Sequence, residues 1–126
     1  MNHVLKIRLK EPVNVDRDRL GTLYAQLGPA GAEDVVCRAM EEIALRLSHC
    51  SRLHAAENRD ELRKCTRSLV AIADQIGMHA LSRVARDVTL CLEAGNATAT
   101  SATLARLLRI GEQSLIAIWD LQDVTI

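Results

Sequence analysis

The chain has 126 residues, the size of one domain able to bury its own core. A formal net charge of zero, from 16 basic and 16 acidic residues, gives no global attraction to nucleic acid or to an anionic membrane. Hydrophobic residues make up 48 %, which excludes a disordered chain, and no apolar run approaches the roughly 20 residues of a membrane span.

The first ten residues, MNHVLKIRLK, mix charge with apolar residues, unlike a secretory signal, so the default compartment is the cytoplasm. Residues 3–10 alternate, with Leu5, Ile7 and Leu9 on one side and Lys6, Arg8 and Lys10 on the other. That is a strand period, ended by Pro12. No second strand follows, so the segment either lies extended on the rest of the chain or pairs with a second copy in a homodimer. Asp16 caps a short helix over 16–27, carrying Leu20, Tyr24 and Leu27 on one face and stopped by Gly28-Pro29. A long helix over 32–56 repeats Val36, Met40, Ile43, Leu47 and Cys50 at three- and four-residue steps.

Asn58 opens a helix over 59–76, whose stripe of Leu62, Cys65, Leu69, Ile72, Ala73 and Ile76 is closed by Gly77. The next, over 79–94, buries Leu81, Val84, Ala85, Val88, Cys91 and Leu92, and Gly95 closes it. Thr100 or Ser101 opens the last, over 101–122, with Leu104, Leu107, Leu108, Gly111, Leu115, Ile118 and Trp119 on its inner face. Gly111 lies in mid-helix on that face, where a close helix approach is the expected reason for it. Short connections force antiparallel neighbours. The expected fold is all-α: an antiparallel up-down four-helix bundle (residues 16–126) with a short N-terminal helix and an extended N-terminal segment (residues 1–15).

Chemistry-bearing motifs are scarce. The four cysteines, Cys37, Cys50, Cys65 and Cys91, contain no Cys-x-x-Cys pair, and the last three fall at core positions as small buried hydrophobes. His49 and His54 are five apart and share no helix face, and no Glu-x-x-His or His-Glu-x-x-His motif occurs. His79 sits near a helix start, a place more often solvated than catalytic. Glycines are scattered, so no phosphate loop forms, and two aromatics, Tyr24 and Trp119, offer no stacking platform for nucleic acid. No catalytic residue, metal ligand or cofactor is expected.

The helix over 59–76 is more informative. At about 100° per residue, Arg67 points away from the stripe of Leu62, Leu69 and Ile76. Arg59, Arg63 and Arg67 recur four apart and form a basic stripe beside Lys64. Val70 and Ala71 share that outer side one turn further on, and Asp74 follows. A charge run alone is usually a solvated face. Exposed apolar residues beside it favour a docking surface made of these seven residues.

Here the sequence resembles a known family. Residues 67–77, Arg-Ser-Leu-Val-Ala-Ile-Ala-Asp-Gln-Ile-Gly, resemble the signature helix of histidine-containing phosphotransfer (HPt) domains, approximately His-x-Leu-Lys-Gly-x-Ala-x-x-Ile/Leu-Gly. Leu69, Ala73, Ile76 and Gly77 match in register, and Leu81 to Glu93 with Gly95 resembles the family's next helix. The resemblance covers roughly residues 16–122 and implies the same antiparallel bundle. Departures fall on the functional positions: Arg67 stands at the phosphorylated histidine, Val70 at the neighbouring lysine and Ala71 at the small glycine. A guanidinium stays protonated and has no lone pair to offer a phosphoryl group, so relay through Arg67 is chemically excluded. The resemblance implies a phosphorelay module that binds a receiver domain or histidine kinase without carrying phosphate, Arg67 entering the acidic receiver pocket as a fixed cation. The alternative is a helical dimerisation or scaffolding protein with no relay role. An enzyme whose site escapes sequence reading is the third option.

Overall fold

The computed structural model describes residues 13–124, with side chains through residue 121. The strand period at residues 3–10, and with it the homodimer contact, lies outside the described residues. Four helices account for most of the described chain: α1 (Arg17–Ala55), α2 (Arg59–Gln75), α3 (His79–Glu93) and α4 (Ala97–Val124). No strand occurs among the described residues, and none of their helices is long and apolar enough to cross a membrane.

The short helix expected over 16–27 and the long one after it form one helical stretch broken at Gly28, whose φ of 76° and ψ of 166° are not helical. Pro29 starts the second piece, where its missing N–H is no loss. Asp16 caps the first piece, its Oδ1 accepting from the Arg19 amide at 3.1 Å.

The three links between helices share one construction. Each helix ends with a residue in the left-handed region: Glu57 (φ 57°), Gly77 (φ 79°) and Gly95 (φ 70°). The next amide then donates back five residues: Asn58 to Leu53, Met78 to Ala73, and Asn96 to Cys91. This satisfies carbonyls that a helix end leaves open. Two of these residues at once cap the following helix, Asn58 Oδ1 accepting from Glu61 and Asn96 Oδ1 from Ala99. The last helix therefore opens at Ala97, not at Thr100 or Ser101 as expected. Thr100 is buried, and its hydroxyl donates back to the Asn96 carbonyl.

Packing is cyclic. α2 lies against α1 and α3, and α4 lies against α3 and returns to α1. One core joins them, with Val36, Ile43, Leu62, Leu69, Ile76 and Leu107 among its fully buried members. Two threonines interrupt this aliphatic interior: Thr66 and Thr89 face each other across α2 and α3, their hydroxyls 2.8 Å apart. Each also reaches a carbonyl of its own helix, Arg63 and Ala85, so every proton has an acceptor whichever hydroxyl donates to the other. Gly111 gives the close approach expected of it: a methyl there would collide with both methyls of Leu47 on α1.

Some core assignments need correction. Met40, Ile72, Cys91, Leu108 and Leu115 are only half-buried. Trp119 is 63 % exposed, because Ile118 takes the inward phase and the indole is carried about 100° around the helix.

Candidate functional site

α2 carries the sequence-derived docking residues, and the structure sorts them by what already holds them. Arg59 is exposed at the start of α2, yet its guanidinium donates to the Leu92 carbonyl at 3.2 Å. A cation at the last turn of α3 complements the partial negative charge of that helix end. Arg63 is half-buried, with its Nε buried and unpartnered among the described residues. Lys64 is exposed and pairs with Glu61 at 3.3 Å. Exposed pairs of this kind contribute little to stability.

Arg67 differs from these neighbours. It is exposed and makes no hydrogen bond or ion pair among the described residues. Its outward phase follows because the buried residues of α2, Leu62, Cys65, Thr66, Leu69 and Ala73, all lie on the other side of the helix. One turn on, Ala71 is exposed as expected. Val70 is not: it is half-buried and packs against the core, because α2 is covered on two sides, by α1 and by α3. The uncommitted part of the surface is therefore narrower than the sequence suggests and centres on Arg67 and Ala71.

Asp74 belongs to a separate cluster. Its carboxylate lies 3.4 Å from His79 Nδ1 and 3.9 Å from the Arg86 guanidinium. The other ring nitrogen of His79 lies 2.9 Å from Asp16 Oδ2. The Asp16 amide in turn donates to the Gly77 carbonyl at 2.9 Å, and the Arg19 guanidinium to the Gln75 carbonyl at 3.0 Å. This cluster fastens the start of α1 to the link between α2 and α3. Hydrogen bonds to Asp16 and then Asp74 hold the His79 pKa above its ordinary value. Asp16 is held below its own by the bond from His79 and then by the Arg19 amide. Gly77 is required here, since a Cβ would sit 2.9 Å from the Asp16 carbonyl oxygen on an already left-handed backbone. Sequence reading placed His79 near a helix start but could not pair it with Asp16, 63 residues earlier.

A second histidine also finds a partner. His54, in the last turn of α1, has Nε2 3.3 Å from Ser101 Oγ in the first turns of α4. The pair borders an open depression of about 680 Å³ that also contacts Leu53, Asn58, Leu62 and Leu92. A nucleophilic serine needs its histidine oriented by a third group. No carboxylate accepts a hydrogen bond from His54 among the described residues. Among those residues, no group of three or more His, Cys, Asp or Glu side chains could hold a metal ion.

The large exposed apolar side chains among the described residues lie on helices other than α2. Leu27 and Leu45 are on α1, Leu90 on α3, and Ile116 and Trp119 stand one turn apart on α4. Comparison with known proteins adds nothing to the geometry: no family model, curated protein or solved structure matches the chain.

Proposed function

We propose that this chain is a binding module of phosphorelay type that docks a receiver domain or histidine kinase and carries no phosphate itself. The observation that supports the reading is Arg67: an exposed cation with no partner among the described residues, at the position where the resembling HPt signature has histidine, with exposed Ala71 one turn beyond. Receiver domains present an acidic pocket to that position in the family. A guanidinium fits such a pocket as a bidentate donor but offers no nucleophilic lone pair. Half-buried Arg63, one turn before Arg67, supplies further positive charge on the approach, which favours an acidic partner.

The up-down antiparallel course belongs to the same proposal. It is supported by three cross-links between helix ends: Arg59 to Leu92, His54 to Ser101, and Asp16 to Gly77. Each joins the start of one helix to the end, or just past the end, of another. In an HPt-like bundle this course leaves the outer side of α2 open to a partner.

The test is binding of purified receiver domains from the same genome to the wild-type chain and to Arg67→Ala. Arg67→Ala should weaken binding and leave folding stability within about 0.5 kcal/mol, as for other exposed positions. Added salt should weaken wild-type binding as well. A receiver that binds Arg67→Ala as tightly as wild type removes Arg67 from the interface and leaves α2 an ordinary solvated face. Incubation with a phosphorylated receiver should leave no phosphate on the chain. Arg67→His alone should accept little, and the triple change with Val70→Lys and Ala71→Gly should accept more.

A second reading, dimerisation or scaffolding, is favoured by Ile116 and Trp119, which are 54 % and 63 % exposed on one side of α4. Sedimentation of wild type against Trp119→Ala separates the two: a dimer lost in the variant, with no receiver binding, supports the scaffold.

A further inference from the structure

We propose that Cys50 and Cys65 are a redox-active pair that hydrogen peroxide converts to a disulfide between α1 and α2. The pair does not depend on which partner docks on α2.

Geometry carries the proposal. Cys50 projects from α1 and Cys65 from α2, and their sulfurs lie 3.1 Å apart, both as free thiols. A disulfide bond is about 2.05 Å long, so the sulfurs need to close by about 1 Å. The two positions are 15 residues apart in sequence and meet because α1 and α2 are joined by a short link. Cys50 is fully buried and Cys65 nearly so, which keeps both away from bulky thiols and admits a small oxidant more easily.

The two sulfurs are not equivalent. Cys50 donates its S–H to Cys65 at 3.1 Å, and Cys65 in turn donates its own S–H to the Arg46 backbone carbonyl at 3.3 Å. The hydrogen bond from Cys50, together with the Arg46 positive charge, holds the Cys65 thiol below its ordinary value. The same hydrogen bond and burial push the Cys50 thiol up. Cys65, which accepts the Cys50 S–H and is the more exposed of the two sulfurs, is assigned as the nucleophile and Cys50 as the resolving thiol. The Arg46 side chain is one-third exposed and pairs with the Glu42 carboxylate at 2.8 Å. Its Nε is buried without a hydrogen-bond partner among the described residues.

The chemistry balances as follows. The Cys65 thiolate attacks one oxygen of peroxide, breaking the O–O bond and forming a sulfenic acid, while the departing hydroxide takes a proton to become water. Cys50 loses its proton and attacks the Cys65 sulfur, forming the S–S bond. The displaced hydroxide leaves with that proton as a second water. Two thiols and one peroxide give one disulfide and two waters, with two electrons passing from sulfur to oxygen. A small dithiol reverses the bond by exchange.

The experiment treats the full chain with hydrogen peroxide, blocks remaining thiols under denaturing conditions and maps tryptic peptides by mass spectrometry. The expected result is a cross-link between peptides 47–52 and 65–67, lighter than the two free peptides by two hydrogen atoms and lost on dithiothreitol treatment. Cys37 and Cys91 should stay blocked as free thiols. Cys50→Ala should then trap a dimedone-reactive sulfenic acid on Cys65, whereas Cys65→Ala should give none on Cys50. The proposal is overturned if oxidised wild type keeps both thiols free, or if either is joined instead to Cys37 or Cys91. It is also overturned if Cys65 stops as sulfinic acid without a cross-link, or if Cys50 is labelled in the Cys65→Ala variant.

Discussion

Gly111→Ala is a substitution whose sign should depend on its neighbour. A Cβ at Gly111 would lie 2.9 Å from Leu47 Cδ2 and 3.3 Å from Cγ, and nearer still to Cδ1. Leu47 is 7 % exposed, so it has little room to turn aside. Overpacking of this kind costs about 1–3 kcal/mol. Alanine in place of a mid-helix glycine returns about 1 kcal/mol in helix propensity. The net change should therefore be a loss of about 0–2 kcal/mol. Leu47→Ala alone should cost about 2–5 kcal/mol, by leaving a cavity. In that background the obstructing atoms are gone, and Gly111→Ala should stabilise by about 1 kcal/mol. Urea unfolding of the four proteins closes the cycle. If Gly111→Ala has the same effect in both backgrounds within about 0.5 kcal/mol, the contact does not set the spacing of α1 and α4.

Other perturbations follow the same logic. Leu69 is fully buried, and Leu69→Ala should cost about 2–5 kcal/mol in a denaturant titration. Glu57 holds the left-handed position that glycine holds in the other two links, so Glu57→Gly should raise stability by about 0.5–1 kcal/mol. The His79 clasp should be pH-dependent, since His79 lies above its ordinary 6.5 and Asp16 below its ordinary 3.8 when folded. The His79 contribution is full below pH 6.5 and is lost as pH rises through the raised folded value; the Asp16 contribution is full above pH 3.8 and is lost as pH falls through the lowered one. The stability difference between wild type and His79→Ala should therefore be greatest between these two values and shrink on the alkaline side; a flat difference contradicts the clasp.

Helix ends were the most legible part of the sequence. Asn58, Gly77, Gly95 and the Gly28-Pro29 break each act within a few residues, through a cap or a left-handed turn, so local sequence suffices. The start of α4 was misplaced because Thr100 has a capping side chain too; Asn96, directly after the left-handed residue, reaches Ala99 first. The outward phase of Arg67 was legible for the same local reason, being set by the period of its own helix. Its isolation was not, because the stripe around it is divided by partners on other elements. Arg59 is held by a carbonyl of α3, and Asp74 by His79 and Arg86. Cys50 and Cys65 each read correctly as inward-facing, yet their meeting depends on how α1 and α2 are aligned lengthwise, which no single-helix pattern encodes.

The short links between helices also bear on the order in which the chain folds. Closing a short loop costs little entropy, and chains rich in such local contacts fold in microseconds to milliseconds. α2 and α3 meet across one short link and share the Thr66–Thr89 hydroxyl contact, so their hairpin can close early. α4 must find α1 across the whole of α2 and α3, and the Gly111–Leu47 contact belongs to that later step. Replacements at Thr66 or Thr89 should therefore slow folding, while those at Gly111 should chiefly speed unfolding. Arg67, next to Thr66, belongs to the hairpin that should close first, so the face it presents should be set before the ring of helices is complete.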